Sequence, residues 1–187
     1  MTRISHRLSI SILDHRLKGK IVAVPNPTWS GVITTPVGPV RVTTTEKGLA
    51  EVHFNVPDEV TEEPVMMPRD VINQLTEYFS RVREVFTLRV DLDATTDFTR
   101  RVLEATAGIP YGETRTYGEI AREIGMPGAT QAVGNALGAN PVPIVIPCHR
   151  VVRSDGSMGW FTGGPHIKRA LLDLEGVHFP HQTTLPF

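Results

Sequence analysis

Cysteine is almost absent from this chain: one residue, Cys148, stands among 187. No internal disulfide can form, so an oxidising compartment gains no support, and the single thiol serves either packing or chemistry. Long apolar runs are missing too. The chain has no stretch of about eighteen apolar residues, the length a membrane-spanning helix needs. The first twenty residues, MTRISHRLSISILDHRLKGK, carry basic side chains, but serines interrupt their apolar stretch and Asp14 ends it. That fits a secretory signal poorly, and the expectation is a cytoplasmic protein. A strong charge of either sign is also lacking, because 19 Lys+Arg face 20 Asp+Glu. Residues 98–170 are locally basic, with 8 Lys+Arg against 5 Asp+Glu. Ordinary surface scatter gives such a surplus as well, so charge alone does not name a partner.

An apolar fraction of 40% is enough for a real core in one ordinary domain or two small ones. The N-terminal third reads as β structure. Two β-branched runs, 31–35 and 40–45, are split by the turn-forming Pro36-Val37-Gly38-Pro39, and 48–54 gives a third candidate strand. Residues 56–68 are acidic and interrupted by proline, which predicts a loop. Residues 69–81 carry Val71, Ile72, Leu75, Tyr78 and Phe79 at helical spacing, a helix suited to cover the sheet. Alternation returns over 86–92 and predicts a further strand. The expected organisation is an N-terminal extension (1–28), a small α/β domain with an antiparallel sheet (29–94) and a mainly helical domain (95–187), an α+β chain.

The second half reads as helices. Thr96-Asp97 caps a segment that ends at Gly108-Ile109-Pro110-Tyr111-Gly112. Thr116 precedes Glu119 by three residues, the spacing of a capping box, and Gly125 is placed to end that helix. The turn Met126-Pro127-Gly128 leads into a helix of small residues, 129–137. A short helix, a tight turn and a second helix outline a helix-turn-helix, whose second member commonly enters a nucleic-acid groove. Many helix pairs share the outline.

The lone cysteine lies in Ile146-Pro147-Cys148-His149-Arg150-Val151-Val152. A thiol becomes a nucleophile when a neighbour stabilises its thiolate, and histidine is the commonest base for that task. Adjacent residues point apart in a strand, so Cys148 and His149 cooperate only in an irregular segment, which Pro147 supplies. A carboxylate is then wanted to orient the imidazole, and Glu175, at the end of the predicted helix 167–176, is a candidate. Each of the three also has a plain structural reading: a buried hydrophobe, a satisfied core histidine, a solvated helix end.

Ile-Pro-Cys-His-Arg-Val, preceded by residues 132–141 and followed by Gly163-Gly164 and 171–176, closely resembles the O6-alkylguanine-DNA alkyltransferases. The likeness runs from about Phe98 to Gly176 and includes Ile109-Pro110-Tyr111-Gly112-Glu113 and Thr116-Tyr117. It implies that an O6-alkylguanine is flipped out of duplex DNA and that Cys148 takes the alkyl group in one irreversible displacement. His149 would act through water as the base and Glu175 would orient it. Asn140 would hold the turn before the cysteine, and Tyr117 would assist the leaving guanine. Gln131, Ala132, Gly134 and Arg150 are the expected DNA contacts. Trp160, Phe161, Thr162 and Gly163 are the expected pocket wall. The expectation is a monomer with no cofactor and with no metal ligands assigned, and the sequence leaves a structural metal open. Two positions depart from the family pattern: Gln131 stands where an arginine usually opens the second helix, and Trp160-Phe161 replaces a small or polar residue followed by tyrosine. The alternative reading, from another class, is an alkyltransferase-like protein that binds the lesion with slow transfer or altered adduct preference. A cysteine hydrolase would need a signature the sequence lacks.

Overall fold

A computed structural model describes residues 29–57 and 68–179. The expected N-terminal extension and most of the acidic loop lie outside the described residues. The first three strands, β1 (Trp29–Thr35), β2 (Gly38–Thr45) and β3 (Gly48–His53), form an antiparallel sheet in sequence order. Thr35 pairs with Gly38, so the turn between β1 and β2 is the two residues Pro36-Val37, tighter than the four-residue turn read from the sequence. Val40 and Val42 point into the core at period two. Leu49 and Val52, three residues apart, both join them because the β2–β3 register shifts at Thr43/Thr44.

Helix α1 (Arg69–Phe79) covers this sheet with Val71, Gln74, Leu75 and Tyr78, one face at helical spacing. The strand expected over 86–92 is not a strand. Among the described residues only Leu49 bridges to this segment, giving its N–H to the Arg89 carbonyl at 2.9 Å and accepting from Asp91 at 2.8 Å. The Gln74 amide takes over at Thr87, accepting from its N–H at 2.8 Å and donating to its hydroxyl at 3.0 Å. Side-chain hydrogen bonds thus satisfy backbone that a ladder would otherwise pair. The close approach also needs Gly48, whose φ is +140° and where a Cβ would lie 2.2 Å from the Arg89 carbonyl oxygen.

The helical half begins at α2 (Asp97–Ala107), capped by the Thr96 hydroxyl, which accepts from Thr99 N–H. The two-residue strand β4 (Arg115–Thr116) runs directly into α3 (Tyr117–Glu123), where Thr116 and Glu119 form the reciprocal capping box. Gly125 follows with φ +75°, the left-handed exit that the sequence predicts for that position. Helix α4 (Thr130–Gly138) packs on both α2 and α3. A single 3₁₀ turn, Cys148–Arg150, runs into β5 (Val151–Val152), which pairs in parallel with β4. Helix α5 (Pro165–Leu174) is the last helix of the described residues and buries Ile167, Lys168, Leu171 and Leu172. One continuous apolar core joins the two halves, from Trp29 and Val42 through Tyr78 to Val133, Ile144 and Leu171.

Candidate active site

The cysteine is placed by the loop that follows α4. Asn140 organises it: its side-chain oxygen accepts from Val142 N–H at 3.1 Å, and its amide donates to the Ile146 carbonyl at 2.9 Å and to Cys148 Sγ at 3.2 Å. At the tip Ile144 is buried with φ +76°, a left-handed conformation that a β-branched residue adopts only under strain. Asn140 and the Ile146 N–H to Val142 carbonyl bond of 3.0 Å hold it there. Pro147 then lets the chain enter the 3₁₀ turn, so Cys148 and His149 occupy irregular backbone, as their chemistry demands.

Cys148 is buried, and burial pushes its thiol up to about 11. The Asn140 hydrogen bond and the charge of Lys168 work against that shift without reversing it. The resting group is a thiol, and it needs a base. His149 is fully buried, and burial lowers its pKa, which keeps the imidazole neutral. Its Nε2 lies 2.8 Å from Glu175 Oε1. Burial alone would raise the Glu175 pKa, but the hydrogen bonds from His149 and Arg150 and the charge of Arg150 outweigh it and bring the carboxyl to about 2. An ionised carboxylate only accepts hydrogen bonds, so Nε2 carries the imidazole proton and Nδ1 keeps its lone pair. Nδ1 is buried without a protein hydrogen-bond partner among the described residues. The arrangement therefore holds a neutral base with its proton-accepting nitrogen unengaged, one residue from a buried thiol.

Tyr117 reaches the same region from the start of α3. Its ring rests near Gly134 of α4, where a Cβ would stand 3.8 Å away, and its hydroxyl donates to the Trp160 carbonyl over 3.4 Å. Gly159, at φ +70°, makes room for it, since a Cβ there would lie 2.8 Å from the hydroxyl oxygen. Burial, and then the proximity of Cys148, raise the Tyr117 pKa. Gln131 and Ala132 are exposed on α4, with Gly134 half-buried beside them. Trp160 is 61% exposed and borders, with Phe161, Arg153, Met158 and Pro165, a hollow of about 370 Å3. The Phe161 ring is buried, edge-on to His149 at 6.3 Å and tilted against Phe54 at 5.6 Å. Thr162 is exposed, and the buried Gly163 accepts from Asn55 at 3.2 Å.

Arg150 corrects an expectation. Taken from the sequence as a DNA contact, it is buried, and its guanidinium is committed internally: Nε to Glu175 Oε2 at 2.8 Å, Nη2 to Oε1 at 3.0 Å and Nη1 to the Ile109 carbonyl at 2.6 Å. A buried carboxylate needs a matching fork, and this one is supplied two residues beyond the cysteine. Two further residues escaped the sequence reading. Tyr78 of α1 donates its hydroxyl to Glu175 Oε1 at 2.7 Å, across 97 positions of sequence that no local pattern bridges. Lys168 is fully buried, donates to the Val151 carbonyl, and has its pKa lowered by burial to about 8. It had a signal, because it shares a helical face with Leu171, Leu172 and Glu175.

Both halves of the chain are similar to known proteins. Residues 29–92 match the ribonuclease-like domain, and residues 97–177 the DNA-binding domain, of 6-O-methylguanine DNA methyltransferase. The methylated-DNA–protein-cysteine methyltransferase of Mycobacterium tuberculosis is 49% identical over 114 residues, covering 61% of this chain and 68% of the relative. That of Methanosarcina barkeri is 42% identical over 151 residues, covering 77% of this chain and 94% of the relative. The crystal structure of Mycobacterium tuberculosis OGT in complex with DNA superimposes with a TM-score of 0.69 at 41% identity, covering 77% of this chain and 90% of that one. With both domains matched and its single thiol set beside a buried imidazole–carboxylate pair, the chain belongs to the 6-O-methylguanine DNA methyltransferase family.

Proposed function

We propose that this protein repairs DNA by direct reversal, transferring the alkyl group of an O6-alkylguanine to Cys148 in a single turnover. The observation that carries the reading is the buried pair in which Glu175 fixes the tautomer of His149 and leaves Nδ1 without a partner among the described residues, on the residue that follows the only cysteine. The relative solved with DNA supports DNA as the partner. Because a thiol with a pKa near 11 is almost wholly protonated at neutral pH, attack must be coupled to proton removal. His149 takes the proton through a bridging water. The Sγ–carbon bond forms as the carbon–O6 bond breaks, and the electron pair departs with the guanine, which takes up a proton. Tyr117, whose raised pKa keeps its hydroxyl protonated, donates to the departing base. Asn140 stabilises charge on sulfur through its 3.2 Å contact.

The target base must leave the stack to meet a buried sulfur. The exposed start of α4, with Gln131, Ala132 and Gly134, docks in the groove, and Gln131 fills the gap the flipped nucleotide leaves. The thioether product has no route to hydrolysis, so the protein is consumed. It acts as a monomer without a cofactor, and a free reacting thiol suits the reducing cytoplasm. A lesion binder incapable of transfer is not favoured, since the chain keeps the thiol, held by Asn140, together with the His149–Glu175 pair. Incubation with duplex DNA containing O6-methylguanine should add the mass of one methyl group per molecule, mapped by peptide sequencing to Cys148. Cys148→Ala should add none. Turnover beyond one equivalent, or a methyl on another residue, would overturn the proposal.

A further inference from the structure

We propose that Tyr78, supplied by α1 of the N-terminal half, is a positioning residue for alkyl transfer: its hydroxyl, bonded to Glu175 Oε1, sets the orientation and basicity of the carboxylate that holds His149. The inference rests on the function proposed above and adds a participant from the other half of the chain.

Three facts support it. Tyr78 is fully buried, and burial followed by the charge of Glu175 raises its pKa well above 10, so its hydroxyl is a donor throughout the working pH range. It donates at 2.7 Å to the same oxygen, Oε1, that meets His149 Nε2 at 2.8 Å, while Oε2 is engaged by Arg150 and, at 3.4 Å, by Gly112 N–H. A third donor on Oε1, Arg150 Nη2 at 3.0 Å, leaves that oxygen little freedom to rotate. The ring is also independently fixed, packed on Phe79 at 5.3 Å, Phe86 at 5.4 Å and Tyr111 at 6.2 Å, so the hydroxyl arrives preoriented. The N-terminal half grips the site elsewhere as well, through Val52 N–H on the Pro141 carbonyl at 2.8 Å and Asn55 on the Gly163 carbonyl at 3.2 Å. Among the described residues of that half, however, only Tyr78 touches the His149–Glu175 pair by a hydrogen bond.

The electrostatic consequence has a definite sign. A hydroxyl donated to Oε1 disperses part of the carboxylate charge that His149 feels. Removing it strengthens the pull of Glu175 on the imidazolium and raises the pKa of His149, so more of the base is protonated in mildly acid solution. Removal also frees the carboxylate to turn, which weakens its hold on the tautomer.

The test is Tyr78→Phe, which keeps the ring and its three aromatic neighbours. Single-turnover transfer from O6-methylguanine duplex should slow roughly tenfold, about the worth of one hydrogen bond to a charged group. The dissociation constant for DNA should stay unchanged, and the acid limb of the rate profile should move to higher pH. A purely structural role would lower the melting temperature and leave that limb in place. In a Glu175→Gln background the further effect of Tyr78→Phe on rate should largely vanish. If Tyr78→Phe does not fold, site-specific 3-fluorotyrosine at position 78, a stronger donor, should shift the limb to lower pH. Parental transfer with an unshifted limb in the variant that folds overturns the role of Tyr78, whereas no transfer by the parent overturns the proposed function instead.

Discussion

At Glu175 five donors converge on one carboxylate: the Tyr78 hydroxyl, His149 Nε2, Nε and Nη2 of Arg150, and the Gly112 amide. The sequence pointed to this glutamate through its position at the end of the predicted helix 167–176, and to Cys148 and His149 as adjacent residues in an irregular segment. It misread Arg150, because an arginine in a locally basic stretch looks the same whether it faces phosphate or a buried acid. The distinction has a measurable consequence. Arg150→Met leaves Glu175 buried with its main counter-charge gone, and the variant should lose about 3–5 kcal/mol of stability in denaturant unfolding. Arg150→Lys keeps the charge but not the fork and should lose less. Under conditions where either variant is folded, the slope of log Kd for DNA against log salt should match the parent. A slope shallower by about one would return Arg150 to the phosphate backbone.

Among the elements, those with local punctuation were the legible ones. Thr116 with Glu119, Gly125 and Thr96 mark helix ends by chemistry that acts within four residues, and the structure places those ends within a residue or two of the expected positions. The segment 86–92 was illegible for a physical reason: alternation reports which side chains face inward and says nothing of whether a side-chain amide such as Gln74 will satisfy the backbone. Helix α4 is built to present its exposed residues. It is made of small side chains, packs Val133, Ala136 and Leu137 inward, and leaves Gln131 and Ala132 uncovered. With an uncharged residue at the expected insertion position, replacing Gln131 by arginine should tighten binding to lesion-containing duplex by severalfold at low salt, and the gain should shrink as salt rises. Fluorescence anisotropy titrations at two salt concentrations measure this. An unchanged or weaker affinity would mean that Gln131 lies off the base stack. The exposed side chain has no packing role, so unfolding midpoints should be the same within about 0.5 kcal/mol.

For the molecule as a whole, the buried ionisable groups make stability depend on pH in a way the near-neutral net charge does not suggest. His149, Glu175 and Lys168 all have depressed pKa values in the fold. Each therefore binds fewer protons folded than unfolded within its window, and each removes stability as pH falls. For Lys168 the window runs from 10.5 down to about 8, for His149 it lies below 6.5, and for Glu175 it runs from 4.5 down to about 2. The Glu175 window alone corresponds to about 3 kcal/mol. Cys148 has the opposite sign: its pKa is raised from 9.0 to about 11, so the stability it contributes is fully present below 9 and is lost as pH rises toward 11. The raised pKa values of Tyr78, Tyr111 and Tyr117 add to that loss above 10. Between about 8 and 9 the Lys168 term acts without opposition from the thiol. The melting temperature should consequently rise up to about pH 6.5 through the Glu175 and His149 windows, stay nearly level to about 8, rise again between 8 and 9 through the Lys168 window, and fall above 10. Lys168→Met, which removes the buried cation and keeps the length of the side chain, should flatten the rise between pH 8 and 9 and leave the acid limb in place. Calorimetric scans from pH 4 to 11 on the parent and this variant decide it. A parental maximum at or below pH 6.5, or a Lys168→Met profile identical to the parent between 8 and 9, would show that Lys168 is not held near pKa 8 by its burial.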